Sequence, residues 1–149
     1  MIRFLIYIFA MYILFKKLYQ VIINYKEYYS INRLNLNLLK VSSEKKRNQG
    51  LMNRKNRLKE NEGMLFEYDK PTKIKMWMKN TYIPLDIIFL DKRFRVIEYK
   101  ENLKPHDITT DYSSNKKYKY AIEINSGTIK KRNIKEGTLI IPKYIKKLN

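Results

Sequence analysis

The sequence predicts an α+β domain that is predominantly β: a compact antiparallel or mixed β-barrel-like sheet with one or two short helices, preceded by a hydrophobic N-terminal helix. Three observations predict it. From Met64 onward, short apolar runs with strand-like alternation recur between Gly and Pro residues. From residue 37 to the end only two short stretches carry helix-start chemistry. Residues 1–23 form an apolar run of a different kind.

That run comes first. Phe4 to Phe15 (FLIYIFAMYILF) is twelve residues without charge, Gly or Pro, and its apolar side chains go all round a helix. As a helix it spans roughly 18 Å, short of a hydrocarbon core of ~30 Å, so it fits a signal-peptide core or a short anchor better than a full span. Extending it to Ile23 brings Lys16 and Lys17 inside the segment. No small-residue cleavage site follows, because Ala10 lies inside the run and the next small residue is Ser30. The expectation is an uncleaved anchor, with membrane association through residues 1–23; a buried N-terminal helix is the alternative. Lys16, Lys17, Lys26 and Arg33 outnumber Arg3 plus the amino terminus, which by the positive-inside rule keeps the following domain cytoplasmic.

Residues 24–36 read as a polar connector, and 37–149 as a single β-rich domain with its first strand near Leu36 to Val41. Ser42-Ser43-Glu44-Lys45-Lys46-Arg47 opens a short helix that Gly50 stops. Strand patterns follow at Met64–Tyr68, Ile74–Lys79, Leu85–Leu90, Val96–Lys100, Tyr118–Ile124 and Leu139–Ile141, bounded by Gly63, Pro71, Pro84, Gly137 and Pro142. Ser126-Gly127-Thr128-Ile129 opens a second short helix reaching about Asn133.

Composition excludes several functions. The chain of 149 residues has no cysteine, which removes disulfides, thiolate nucleophiles and cysteine-based zinc sites. There is no Gly-rich phosphate loop, and no cofactor is expected. The net charge of +18 invites a nucleic-acid reading, but the surplus is lysine spread over every segment, with only eight arginines. Arginine carries the planar fork that clamps phosphate or reads guanine. Nucleic-acid binding is therefore expected to be weak and non-specific, and the basic runs Lys116-Lys117-Lys119 and Lys130-Lys131-Arg132 read as solvated faces.

Alternation singles out one candidate site. In Lys73 to Asn80, Ile74, Met76, Met78 and Asn80 share one face, while Lys73, Lys75, Trp77 and Lys79 share the other. The next run, Leu85 to Leu90, is apolar on both faces, with Asp86 in register with Ile88 and Leu90. Asn80 and Asp86 then converge as a hydrogen-bonded corner over a four-residue connection, with Trp77 accessible on the opposite face. Trp77, Lys79, Asn80, Thr81 and Asp86 are the ligand-binding candidates. The alternative is that Asn80 and Asp86 only satisfy backbone groups of the turn.

Ordered motifs add a family likeness. Arg47-x-x-Gly50-Leu51-Met52-x-Arg54, Gly63-Met64-Leu65-Phe66, Trp77-Met78-Lys79-Asn80-Thr81-x-Ile83-Pro84-Leu85-Asp86, Phe89-Leu90-Asp91 and Tyr120-Ala121-Ile122-Glu123 with Gly127 together resemble the domain of unknown function 192 family over roughly residues 37–142. The resemblance implies a compact β-rich domain without an established activity, often behind a secretion signal or lipid anchor. It thus implies an extracytoplasmic domain, against the lysine count. Two departures stand out: the cysteine that members often carry in the loop 102–117 is absent, and the frequent Gly after Asp91 is missing near Phe94.

Catalytic constellations are weak. His106, Asp107, Ser113 and Ser114 have the residue types of a triad, and His106, Asp107 and Asp111 those of a metal site, but triads and ligand sets are defined by geometry. Asp86 and Asp91 fall on opposite faces of one strand. The expected function is a membrane-anchored binding or accessory module of the cell envelope with an unidentified ligand or protein partner. The alternatives are a soluble basic nucleic-acid-binding protein and an enzyme using Asp86 as general base.

Overall fold

The computed structural model describes the backbone of residues 2–31 and 33–147, and the side chains of residues 7–21, 35–142 and 146. The chain divides into two compact units, 1–32 and 33–149. The first is the single helix α1 (Ile2–Ile31). It runs on through much of the segment expected to be a connector, and the side chains of 24–34 lie outside the described residues. From Tyr7 to Val21 every side chain is exposed, with apolar groups on all sides. Among the described residues no helix is long and apolar enough to cross a membrane.

The second unit holds a six-stranded sheet of β1 (Arg33–Val41), β2 (Glu62–Lys73), β3 (Leu85–Leu90), β4 (Val96–Leu103), β5 (Lys117–Asn125) and β6 (Leu139–Lys147), in the order β4-β3-β5-β2-β1-β6. Strand β1 runs parallel to β2 and β6; the other pairs are antiparallel. The edge strands meet at one end. An isolated bridge joins Arg95 to Leu139, and amide bonds Val96 N–H to Thr138 O (2.9 Å) and Gly137 N–H to Val96 O (2.8 Å) curl the sheet into a half-barrel. Two short helices complete the unit, α2 (Glu44–Gln49) and α3 (Thr128–Lys131).

Each face of the sheet carries a core. Phe66, Ile87, Phe89, Leu85 and Ala121 face a layer supplied by Leu51, Leu58, Ile74, Met76 and Met78. Leu36, Leu38, Leu65, Ile88, Leu90, Ile122 and Ile124 face the other side with Ile129, Ile134 and Ile140. Strand β3 lies between both cores, which is why all six of its residues are buried. Asn125 fastens the outer layer, its side chain donating to Leu58 O (2.7 Å) and accepting from Leu58 N–H (3.1 Å).

Two expected elements differ. Residues 74–78 keep the predicted alternation, with Ile74, Met76 and Met78 buried and Lys75 and Trp77 exposed, but they belong to no strand. Strand β2 instead continues to Lys73 through Pro71, which was expected to end it. The ladder to β5 is interrupted between Glu67 and Thr72, so a residue without an N–H forfeits no ladder bond there.

Gly63 marks the tightest approach of β2 to β5. A Cβ there would meet Glu123 O, Ile122 Cγ2 and Ile124 Cγ2, each at 3.1 Å. Gly63→Ala is expected to cost about 1–3 kcal/mol through this overpacking. The readout is a lower denaturant midpoint at an unchanged slope.

Candidate functional site

A cleft of about 310 Å³ opens on the first core face, between α2, the outer half of β2 and the extended segment after it. Its walls are Leu51, Phe66, Met76 and Trp77; its rim carries Glu44, Arg47, Lys73 and Lys75; Glu123 lies at its floor.

Local chemistry positions each group. Ser43 caps α2 in extended conformation and Gly50 ends it at φ 48, a backbone conformation that residues with a Cβ rarely adopt. Arg47 therefore projects over the Tyr68 ring, its guanidinium carbon 4.5 Å from the centroid. Its Nη1 donates to the carbonyls of Ser42 and Glu67. Burial pushes the Tyr68 phenol above its ordinary range; Glu123 pushes the same way and Arg47 opposes it.

Glu123 is the exceptional group. It sits on β5 opposite Met64 of β2 and Ile87 of β3, on the face of the first core, and is 5 % exposed. Its Oε2 is buried without a hydrogen-bond partner. Desolvation raises its pKa to about 8.

The five sequence candidates separate. Trp77, 39 % exposed, and buried Thr81 line the cleft. Lys79 is exposed and lies outside it. Asn80 was expected on the apolar side beside Asp86, but it is exposed, because the turn Lys79–Asn80 breaks the alternation and puts Asn80 at φ 52. Only its carbonyl is tied, accepting from Asn53 N–H at 2.8 Å. Asp86 is fully buried on the side of Ile88 and Leu90, away from the cleft. Its Oδ1 accepts from Asn102 N–H (2.9 Å) and its Oδ2 from Ile129 N–H (3.0 Å), so the carboxylate joins β3 to β4 and α3. The expected Asn80–Asp86 corner is replaced by this arrangement, in which both carboxylate oxygens of Asp86 accept from backbone amides.

The loop residues also serve structure. Asp107 accepts from Thr109, Thr110 and Tyr112, and these bonds, led by Thr110, hold its carboxyl well below the usual range. Ser114 Oγ accepts from Ile74 N–H (2.8 Å) and donates to Lys116 O (2.8 Å), while His106 packs edge-on to Tyr82. Among the described residues no cluster of three metal-ligating side chains forms. At the turn after Asp91, Phe94 takes the left-handed conformation (φ 60) in which glycine is ordinarily favoured, and it stacks on Tyr120 at 4.5 Å.

In the sequence Arg47 and Glu123 stand out only as positions of the family motifs, and Tyr68 carries no signal of its own. A signal for Glu123 existed: it is the one acidic residue inside the run Ala121-Ile122-Glu123-Ile124. A carboxyl flanked by isoleucines on a central strand has little access to water.

The half-barrel with a cleft on its first core face defines a small β-rich domain. The chain belongs to the DUF192 family, described as "Uncharacterized ACR", whose model matches residues 30–141. Two solved structures are similar to it. A candidate transcription regulator from Sinorhizobium meliloti 1021 has 33% identity and a TM-score of 0.65, covering 68% of this chain and 78% of that one. A protein of unknown function from Novosphingobium aromaticivorans DSM 12444 has 33% identity and a TM-score of 0.64, covering 68% and 71%. No curated protein matches the chain.

Proposed function

We propose that the domain is a binding module that takes a small ligand in the cleft beside Trp77. The observation carrying this is the Glu123 carboxyl. A buried polar atom without a partner costs stability, and one at the floor of a cleft with apolar walls is the kind of convergent polar group that orients a ligand.

Trp77 is the sole tryptophan of the chain and reports directly on its own cleft. Trp77→Ala is expected to lower stability by only about 1 kcal/mol, since the indole is partly exposed, while reducing ligand affinity about tenfold or more. Unfolding midpoints beside small-molecule titrations followed by chemical shifts of cleft residues separate the two effects. A Trp77 variant that loses several kcal/mol assigns the indole to the core and removes the recognition surface.

For α1, the exposed apolar residues from Tyr7 to Val21 support attachment to a membrane surface, as an accessory component of the cell envelope. The full chain is expected to sediment with membranes and to resist high-salt extraction. Release by salt would assign the contact to the lysines instead. A nucleic-acid function, suggested by the description of one structural relative, has weaker support. Lys131 and Arg132 of one basic run are paired with Glu60, at 2.6 and 3.2 Å.

A further inference from the structure

The cleft's electrostatics specify what enters it, given the binding reading above. Glu123 has Met64 and Ile87 as its partners on the adjoining strands, so neither β2 nor β3 brings a charge beside it. The titratable groups facing the cleft are Glu44 and Arg47 from α2, Tyr68 and Lys73 from β2, and Lys75 from the extended segment. Three cations thus surround the mouth against one carboxylate. Phe66, Met76, Leu51 and Trp77 supply apolar walls.

We propose that the cleft takes a compact organic anion, its acidic group accepting a hydrogen bond from the Glu123 carboxyl and drawn in by Arg47, Lys73 and Lys75, with its apolar body against Phe66, Met76 and Trp77. An ionised Glu123 without a counter-cation bears an uncompensated desolvation cost, so the group keeps its proton instead. The rise of its pKa to about 8 agrees with that. A protonated carboxyl offers one O–H donor, and a donor facing an anionic acceptor makes a short, charge-assisted bond. The small volume, about 310 Å³, limits the ligand to a modest number of heavy atoms. A cationic ligand meets the opposite situation, because it must pass the rim cations and needs Glu123 ionised.

Three probes of similar size and different charge test this: benzoate, benzamide and benzylamine, titrated into the full-length chain in mild detergent. Trp77 fluorescence reads binding, and carbon-13 NMR of the Glu123 carboxyl reads its pKa. Benzoate is expected to bind about tenfold or more tighter than either of the others near neutral pH. Its affinity should fall about tenfold per pH unit above the Glu123 pKa, and its binding should raise that pKa further. Glu123→Gln, whose amide still donates, is expected to keep benzoate binding and lose this pH dependence. Replacing Lys73 and Lys75 by Gln should weaken benzoate and leave benzamide unchanged.

Tightest binding by benzylamine, with a lowered Glu123 pKa, overturns the anion assignment and leaves the cleft as a ligand site. Benzoate binding equal in the parent and in Glu123→Ala, with no pH dependence, removes Glu123 from the recognition. If none of the three moves Trp77 or Glu123 at millimolar concentration, the binding reading itself falls together with the anion assignment.

Discussion

Asp86→Ala is expected to bring the domain close to unfolding, with a loss of about 3–5 kcal/mol, because it strips partners from two backbone amides at once. The acceptors removed are those of Asn102 N–H, at the end of β4, and Ile129 N–H, in α3. Water does not replace them readily, since Asp86 is 0 % exposed. Hydrogen bonds to an ionised acceptor are worth about 1.5–3 kcal/mol each, against a total stability of about 5–15 kcal/mol for a domain. Asn102 also accepts from Ser126 Oγ at 2.9 Å, so the loss reaches the turn that leads into α3. Asp86→Asn keeps one acceptor and is expected to lose about half as much. Denaturant unfolding of both variants decides the matter. A midpoint for Asp86→Ala within experimental scatter of the parent would show that the carboxylate does not hold these elements.

The residues themselves show which parts of the fold were legible. Alternation at Ile74, Met76 and Met78 was correct although no ladder exists there, because burial against the first core imposes the period without strand pairing. The same rule failed two residues later. Asn80 occupies a left-handed turn, and a period of two carries no information once the backbone leaves the extended region. Pro71 misled in the opposite way, since a proline ends a strand only where its N–H would have been used. Asp86 was legible as buried but not as a link to α3, because the partner Ile129 lies 43 residues away and a contact of that range leaves no local pattern. The exposure of Trp77 was legible because it alternates with Met76 and Met78, which the first core buries. The cleft beneath it was not, because its other groups come from α2, β2 and β5, which only the topology brings together.

Glu123 should make the protein lose stability as pH rises across the neutral range. In the unfolded chain the side chain releases its proton near its ordinary value of 4.5, whereas in the folded chain burial delays release to about pH 8. Between these values the native state holds more protons than the unfolded one. Stability therefore falls with increasing pH, by up to about 1.4 kcal/mol per unit, and levels off above the folded pKa. The other shifted groups are silent in that window. Asp107, Asp111 and Glu60 have lowered pKa values, so their contributions vanish only as pH falls below the ordinary carboxylate range. Tyr68, Tyr112 and Tyr118 are raised, so theirs fade only above 10.0. Glu123→Gln removes the titrating proton at nearly constant shape. Its unfolding free energy should be flat between about pH 5 and 8 and should exceed the parent's at the upper end by several kcal/mol. Denaturant unfolding of parent and variant at four or five pH values measures both curves. Parallel slopes would mean that Glu123 ionises freely in the folded state, through water or a partner at the cleft floor, and that the desolvated carboxyl is not a feature of the protein in solution.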